Sequence, residues 1–345
     1  MSDNQANTHS NTLPEFSLVL ETVNLGLADV EGIDASLNSI AQQDVPIESA
    51  REVLLVDSGD VPRDRLQDLT RKYPWLQVVD VTADTGYEAA KQQGFSQTTG
   101  EIVIFFDADC EYQQGWLRGL LEGMRDHPEF AVLGGVTLIR PDGSYGMAIS
   151  ATFSFEFYAE SERIFRANTF QWNNVAFRCQ TLKDYPIPVN LPMFRTPPKF
   201  FADQLLTDGL VIGRQPVSRA LHAPPVGFMN FIWRYLLFGH DAVIGKRLRR
   251  RLRDSNKHKP SDTAPIMHLP GLIVSRLKQV VVRLKWLLRD NPRRWLQLPL
   301  ALVIMIFGFS LMAIGYLLTL IWPHALPGIL PQSVADRTGL DRSKA

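Results

Sequence analysis

The sequence predicts an α/β protein with a mainly parallel central sheet, followed by an amphipathic helix and one transmembrane helix. Three observations support this. Short apolar runs alternate with helical patterns from Phe16 to Gly135, Ile102–Phe106 is apolar throughout, and Leu298–Trp322 contains no charged residue. An unbroken apolar run is typical of a parallel strand covered on both faces. The chain has 345 residues, 45% of them hydrophobic, which is enough for a substantial core.

The first half of the chain alternates predicted strands with predicted helices. The strands are Phe16–Thr22, Glu52–Val56, Leu76–Val81 and Ile102–Phe106. After the first strand, apolar residues from Val30 to Ile40 recur at spacings of three and four, which predicts a helix behind an N-cap at Asp29. A second helix is expected to end near Tyr73 and a third to begin near Tyr87. This alternation predicts βαβ units with right-handed crossovers.

The pattern is less regular beyond Gly135. It predicts a helix around Thr152–Arg166, a strand over Thr169–Phe177, and a proline-rich loop from Tyr185 to Pro198. We expect residues 15–240 to form one domain divided near residue 135. Residues 1–14 are polar and lack the apolar segment of a secretory signal, so we predict that they are disordered.

A basic segment follows this domain. The stretch from Lys246 to Arg294 carries fifteen Lys and Arg residues against three Asp residues, although the formal net charge of the chain is zero. Between Gly271 and Arg289 the apolar and basic residues fall on different faces of a helix, which predicts an interfacial amphipathic helix. A coiled-coil or partner-docking helix is the alternative. We therefore assign residues 241–296 to the membrane surface, and no nucleic acid is expected as a partner.

The uncharged run Leu298–Trp322 would be about 37 Å long as a helix, enough to cross a hydrocarbon core of about 30 Å. A buried core helix is the alternative, but tryptophans at both edges favour a membrane. We predict one span over residues 297–322 and a tail over residues 323–345. Because Arg289, Arg293 and Arg294 precede the span, the preceding domain is predicted to be cytoplasmic, at the inner (plasma) membrane.

Polar side chains come directly after the predicted strands. They are Glu21, Asn24, Asp57, Asp84, Asp107 and Asp109. Parallel sheets bind ligands beyond the carboxyl ends of their strands, so these groups are expected to share one rim. Asp107 and Asp109, separated by one alanine, are suited to a divalent cation, because Mg²⁺ and Mn²⁺ prefer oxygen ligands and are often completed by substrate phosphates.

Five stretches of the chain carry a resemblance to a known family. They are FSLVLETVN, EVLLVDSGD, GYEAAKQQGFSQTTGEIVIFFDAD, WNNVAFR and FADQLL, between Phe16 and His240. In order and spacing they resemble the family-2 glycosyltransferases of GT-A fold. The resemblance implies a nucleotide-binding half over residues 15–135 and an acceptor half over residues 136–240.

The resemblance also implies roles for individual residues. Asp57 would meet the nucleobase, Asp107 and Asp109 would bind the ribose and the metal diphosphate, and Asp203 would be the catalytic base. The cofactor would be Mn²⁺ or Mg²⁺. From their positions after the predicted strands, Glu21, Asn24 and Asp84 are expected to complete the donor site. Ala202 departs from the family, which usually has an acidic residue there. An N-cap role is the alternative for Asp203.

Other residues have two interpretations each. His222 is a candidate ligand of the metal or diphosphate, or else a solvated loop histidine. Asn173 and Asn174 are candidates for sugar or acceptor binding, or else turn residues. Arg178 and Arg234 are candidate phosphate partners or surface arginines. Cys110 is expected to be a small buried residue, and the two cysteines indicate neither a disulfide framework nor a zinc site.

The sequence therefore predicts an inverting glycosyltransferase. It would move a sugar from a nucleotide diphosphate sugar to a glycan or lipid-linked acceptor at the membrane. The Gln-x-x-Arg-Trp signature of processive members is absent, which favours transfer of a single sugar. The alternatives are a catalytically inactive membrane scaffold and a sugar nucleotidyltransferase, although the first strand lacks the Gly-rich basic loop that the latter would need.

Overall fold

The computed structural model of the protein describes residues 12–23, 30–153, 162–189, 191–194, 196–255 and 269–329. Its strands are β1 Phe16–Glu21, β2 Val53–Asp57, β3 Leu76–Asp80, β4 Ile102–Asp107, β5 Cys110–Tyr112, β6 Phe130–Ile139, β7 Phe165–Ala167, β8 Asn174–Arg178 and β9 Val211–His222. Its α-helices are α1 Val30–Ala41, α2 Arg63–Lys72, α3 Tyr87–Phe95, α4 Trp116–Asp126, α5 Gly143–Thr152, α6 Cys179–Asp184, α7 Pro197–Thr207, α8 Phe228–Ser255, α9 Leu269–Asp290, α10 Leu298–Ile321 and α11 Ala325–Ile329.

The nine strands of the described residues form one sheet in the order β3-β2-β1-β4-β8-β6-β9-β5, with β7 paired to β9. Strands β1 to β4 are mutually parallel, which confirms the predicted first half. The second half is mixed, because β8 runs antiparallel to both β4 and β6. The register of β1 and β4 places Glu21 opposite Asp107, so these two predicted rim residues are neighbours.

Two apolar layers cover the sheet. Successive strand residues point to opposite faces, and both faces of β1, β2 and β4 are buried. Helices α1, α2 and α4 cover the face that carries Leu18, Leu55 and Phe106. Helices α3, α6 and α7 cover the other face, which carries Val19 and Phe105. This double cover explains why the strands lack polar alternation.

The structure corrects two predictions in the second half. Helix α5 ends at Thr152, where a helix was predicted to begin, and residues 165–167 form strand β7; residues 154–161 of the predicted helix lie outside the described residues. Six residues of α5 are buried, so it lacks the one-sided apolar stripe that reveals a surface helix. The strand predicted over Thr169–Phe177 is shorter, because only Asn174–Arg178 pairs with β4 and β6.

Helix α8 runs beside α10 in the same direction. Phe231 stacks on Phe307 at its beginning, and Gly239 lies against Gly315 two turns further along both helices. A Cβ atom added to Gly239 would come within 2.1 Å of the Met312 carbonyl oxygen, so the two backbones approach as closely as glycine allows. The domain boundary predicted between residues 240 and 241 falls inside α8.

Within the described ranges, α10 is the one helix long and apolar enough to cross a membrane. It has 24 residues and a mean hydropathy of 2.4, and 22% of its most apolar window is buried. The buried residues form a stripe that includes Ala301, Gly308 and Gly315 and packs on α5 and α8. Its other side exposes large apolar residues such as Val303 and Ile306.

Candidate functional site

Asp107 lies at the end of β4 and is held by two residues of α3. Its carboxylate accepts hydrogen bonds from the Tyr87 hydroxyl, at 3.0 and 3.1 Å, and from Lys91 Nζ, at 2.9 Å. Lys91 is fully buried, and its ammonium also lies 4.6 Å from the centre of the Tyr87 ring. Asp107 keeps 16% of its side-chain surface exposed. One side of this carboxylate is therefore fixed while another remains accessible to a ligand.

Glu21 is the buried partner of this pair. One carboxylate oxygen lies 3.7 Å from Lys91 Nζ, and the other accepts a hydrogen bond of 2.8 Å from the Val23 amide. Burial raises the pKa of Glu21 to about 8; Lys91 opposes this rise and Asp107 adds to it. Burial also opposes the charge on Lys91, but Asp107 and Glu21 outweigh it and hold the lysine pKa above its usual value. The structure thus places Glu21 beneath the rim, where it contacts Lys91.

This raised pKa predicts a stability that falls as pH rises. Between pH of about 4.5 and about 8, folded Glu21 retains a proton that the unfolded chain has released, so the free energy of unfolding decreases across that window. The isosteric Glu21→Gln variant should remove this part of the pH dependence, which we expect to reach a few kcal/mol. Urea unfolding of both proteins at pH 5, 6.5 and 8 tests this. Parallel pH profiles of the two proteins would contradict the assignment.

Asp109 and His222 meet at the ends of two distant segments. Strand β5 pairs with the end of β9, so Cys110 is opposite His222, and the Ala223 amide donates to the Asp109 carbonyl oxygen at 2.9 Å. An Asp109 carboxylate oxygen lies 3.3 Å from His222 Nε2, and this carboxylate is 34% exposed. The prediction that placed His222 with the metal residues therefore has geometric support, since the ring faces Asp109.

The ligand atoms of Asp109, Cys110 and His222 all lie within 4.8 Å of one another, close enough to hold one metal ion. Carboxylate oxygen and imidazole nitrogen suit Mn²⁺. The thiol suits it less, because burial and the charge of Asp109 raise the pKa of Cys110 well above its usual value and the thiolate is the form that binds metals. We therefore regard Asp109 and His222 as the candidate ligands and Cys110 as a buried neighbour.

Asp57 ends β2 at the same edge of the sheet. One of its oxygens accepts hydrogen bonds from the Thr22 hydroxyl at 2.9 Å and from the Val61 amide at 3.4 Å. The other oxygen, Oδ2, is buried and has no partner among the described residues. A buried carboxylate oxygen without a partner is costly, so this atom is suited to accept a hydrogen bond from a ligand.

The structure assigns no role to two of the predicted rim residues. Asp84 is exposed in the turn between β3 and α3. Asn24 lies outside the described residues.

Asp203 lies in the interior of α7, whose N-cap is Thr196, so it is not an N-cap residue. Its carboxylate forms ion pairs with Lys199, one turn earlier, and with Arg249 of α8 at 3.5 Å. Lys199 also bonds to the carbonyl of Asn168, just after β7. The contacts of Asp203 thus join α7 to α8.

Three other candidates from the sequence make structural contacts. Asn174 is fully buried and bonds to Trp116, Val136 and Ser218, and Asn173 accepts a hydrogen bond from Thr137, so both serve the core. Among the described residues, Arg178 donates hydrogen bonds to the carbonyls of Met124, His127 and Phe130 and forms an ion pair with Glu101. Arg178 pairs with the first residue of β4, at the edge opposite Asp107, which rules it out as a phosphate partner at the rim.

Comparison with known proteins places this fold in context. The profile of the family described as "Glycosyl transferase family 2" matches residues 29–185. The glycosyltransferase AglE of Haloferax volcanii is 29% identical over 185 residues, which are 53% of this chain and 59% of that protein. Polypeptide N-acetylgalactosaminyltransferase 3 of Taeniopygia guttata is 29% identical over 160 residues, which are 42% of this chain and 24% of that protein. The chain therefore spans about three fifths or less of the length of these relatives.

Two solved structures share the fold. The mannosyltransferase PcManGT from Pyrobaculum calidifontis, in complex with GDP-Man and Mn²⁺, superposes with a TM-score of 0.54 at 17% identity, covering 94% of this chain and 86% of that one. GalNAc-T7 with UDP, GalNAc and Mn²⁺ superposes with a TM-score of 0.52 at 12% identity, covering 83% and 58%. The GT-A-like fold expected from the sequence is confirmed.

Proposed function

We propose that this chain, whose residues 29–185 match the profile of glycosyl transferase family 2 and whose fold is GT-A-like, transfers a single sugar from a nucleoside diphosphate sugar to a membrane-associated acceptor, with inversion at the anomeric carbon. The observation that carries this proposal is the shared edge of the sheet. Register and hydrogen bonds bring Asp107 and its Lys91 anchor to the edge where Asp109 faces His222.

Each group at this edge has a role that its contacts support. The partnerless oxygen of Asp57 would accept a hydrogen bond from the base of the sugar donor. Asp107, oriented by Tyr87 and Lys91, would accept from the ribose. Asp109 and His222 would hold a divalent cation with the diphosphate. Bound there, Mn²⁺ or Mg²⁺ would stabilise the negative charge that develops on the leaving diphosphate.

The two structural neighbours support this choice of donor and metal. One was solved with GDP-Man and Mn²⁺ and the other with UDP, GalNAc and Mn²⁺. Both therefore bind a nucleotide with Mn²⁺. We propose Mn²⁺ as the first choice of cofactor for this chain and Mg²⁺ as the second.

The need for a catalytic base depends on the acceptor. A hydroxyl must lose a proton as it attacks, and Asp203 is the residue that the family resemblance assigns to this step. An acceptor that is already an anion needs no base. The interior position of Asp203, paired with Lys199 and Arg249, makes this a point to test.

The proposed site in the cell is the inner (plasma) membrane, with the catalytic domain facing the cytoplasm. The support is the apolar helix α10 together with Arg289, Arg293 and Arg294 before it, because basic residues flank spans on the cytoplasmic side. An orientation of this kind would expose the sugar-donor site to cytoplasmic nucleotide sugars.

A panel of UDP- and GDP-sugars with Mn²⁺ tests the proposal. The full chain is assayed in membrane vesicles, and release of nucleoside diphosphate is measured. We expect one donor to be consumed, by inverted but not by right-side-out vesicles. If the acceptor is a hydroxyl, Asp203→Asn should lower the rate by about 10²-fold or more; an anionic acceptor should leave it unchanged.

The same assay separates the alternatives. A catalytically inactive scaffold would bind a nucleotide sugar and release nothing. A nucleotidyltransferase would release pyrophosphate when it is given a nucleoside triphosphate and a sugar 1-phosphate. Either result would overturn the proposal.

A further inference from the structure

An apolar cavity opens beside the candidate site, between the catalytic domain and α10. Its volume is about 430 Å³, within the range of small-molecule sites. The lining includes Tyr145 of α5, Val226 of the loop before α8, Phe228 and Phe231 of α8, and Ile304 and Phe307 of α10. Nearly all of this lining is apolar. A phosphate, sugar or nucleotide would gain little binding free energy from contact with these apolar side chains.

Among the described residues, the cation of Arg234 lies near this cavity. Arg234 follows Phe231 by three residues, which places both on one face of α8, and its guanidinium lies 5.6 Å from the centre of the Phe153 ring. Burial lowers the pKa of Arg234, an effect opposed by the nearby Asp109 carboxylate and the Tyr145 hydroxyl. The guanidinium is therefore close to both the candidate metal site and the wall of the cavity.

Arg234 is partly exposed, and among the described residues its guanidinium contacts the Phe153 ring but pairs with no anion. No described residue accepts a hydrogen bond from it or forms an ion pair with it, and its Nε is buried without a partner. Burying a charged group in this way is costly unless an anion pairs with it. Among the described residues, a guanidinium without an ion-pair partner therefore lies near Tyr145 in the apolar wall of the cavity.

We infer that the acceptor is a lipid with a phosphate headgroup, whose hydrocarbon chain lies in this cavity and whose phosphate binds Arg234. The inference rests on the proposed function and specifies its acceptor. Charge complementarity at Arg234 selects an anionic headgroup. Two residues that line the cavity, Val226 and Phe228, are 67% and 68% exposed, and Phe228 stacks on Phe307 of α10. The hydrocarbon chain of the acceptor would enter the cavity along this exposed apolar surface.

The reaction balances without an additional reactant. A phosphate oxygen of the acceptor forms the bond to the anomeric carbon, and the bond from that carbon to the donor diphosphate breaks. The nucleoside diphosphate leaves with the electron pair. Because a phosphate monoester has its second pKa near 6, the attacking oxygen is already ionised near neutral pH.

A binding competition on the full chain in detergent micelles tests the inference without any sugar donor. Radiolabelled dodecyl phosphate is bound and then displaced by unlabelled dodecyl phosphate, dodecanol or inorganic phosphate. We expect dodecyl phosphate to compete at least ten-fold better than either of the others, since a charge-assisted hydrogen bond contributes a factor of about ten or more. If dodecanol competes as well as dodecyl phosphate, the phosphate headgroup is not recognised. If inorganic phosphate competes as well, the hydrocarbon chain does not bind in the cavity. Either result would overturn the inference.

Matched variants locate the site. Arg234→Gln should abolish the preference for dodecyl phosphate over dodecanol, whereas Arg71→Gln, at an exposed arginine of α2, should leave it unchanged. Val226→Asp should weaken binding of both dodecyl phosphate and dodecanol at least ten-fold. The control, Val189→Asp, changes a valine in another exposed loop and should leave binding unchanged. Unchanged competition in Arg234→Gln or Val226→Asp would overturn the inference.

Two further readouts keep the interpretations apart. Thermal unfolding and binding of Mn²⁺ with a nucleotide show whether each variant is folded with an intact donor site. If the sugar donor is consumed but dodecyl phosphate is not bound selectively, this inference is wrong and the proposed function stands. If dodecyl phosphate is bound selectively but no sugar donor is consumed, the proposed function is wrong and the lipid phosphate site stands.

Discussion

Asp109→Asn is expected to lower the rate of sugar transfer by about 10²- to 10³-fold while the protein stays folded. Asp109 lies at the edge of the sheet with a third of its carboxylate exposed, 3.3 Å from His222. Removing its charge takes an anionic ligand from the proposed cation site, and the loss of one transition-state stabilising group typically costs this much. The fold should persist because the core strand β4 ends before this residue.

The measurement is kcat/KM for the preferred sugar donor over a range of Mn²⁺ concentrations. Asp64→Asn is the matched control, since Asp64 is exposed in the first turn of α2. The Asp109 variant should need more Mn²⁺ for half-maximal rate, and its unfolding midpoint should match that of the native chain. A variant with native kcat/KM at every Mn²⁺ concentration would remove Asp109 from the metal site.

Lys91→Met is expected to reduce the free energy of unfolding by about 3–5 kcal/mol and to abolish binding of the sugar donor. Lys91 is fully buried with Asp107 at 2.9 Å and Glu21 at 3.7 Å. Removing one partner of a buried ion pair leaves the other charge uncompensated, and losses of this size are usual. Asp107 would also lose the ammonium that orients it.

Urea unfolding and equilibrium binding of a nucleotide with Mn²⁺ measure the two effects. Lys72→Met is the matched control, because Lys72 forms an exposed ion pair with Asp34 and exposed pairs contribute little to stability. A small loss of stability together with native nucleotide binding in Lys91→Met would show that Lys91 is not the anchor of Asp107.

Much of this site follows from the sequence because it depends on strand ends. An apolar run marks a buried strand, the residue after it must reach the rim, and parallel neighbours share that rim. This reasoning identified Asp57, Asp107 and Asp109, which the structure places at the ends of β2 and β4 or just beyond. It does not give the depth of a residue in the rim: the structure buries both Glu21 and Asp57, and of these two carboxylates Asp57 has an oxygen without a partner among the described residues.

Lys91 was not predicted, although the sequence contains a signal for it. It follows Tyr87 by four residues, on the face of α3 that also buries Ala90 and Phe95. A lysine on an apolar face requires an anion nearby, since burying an unpaired ammonium is costly. Applying that rule along each predicted helix would have identified Lys91 as the partner of an acidic rim.

Other features could not be read from periodicity. Helix α5 is buried on most sides, and β7 exists because β9 offers it an edge. Both depend on tertiary contacts between residues far apart in the chain. The ion pairs of Asp203 with Lys199 and Arg249 likewise depend on how α7 meets α8, whereas the resemblance gave only its order among motifs.

The close, parallel packing of α8 on α10 has a consequence for how a substrate would arrive. Any depth that α10 takes in a bilayer is imposed on the first half of α8, because Gly239 and Gly315 leave no room for lipid between them. His222 precedes α8 by only six residues. If α10 crosses a bilayer as proposed, a substrate dissolved in the bilayer would reach the proposed site by two-dimensional diffusion within one leaflet, without entering water.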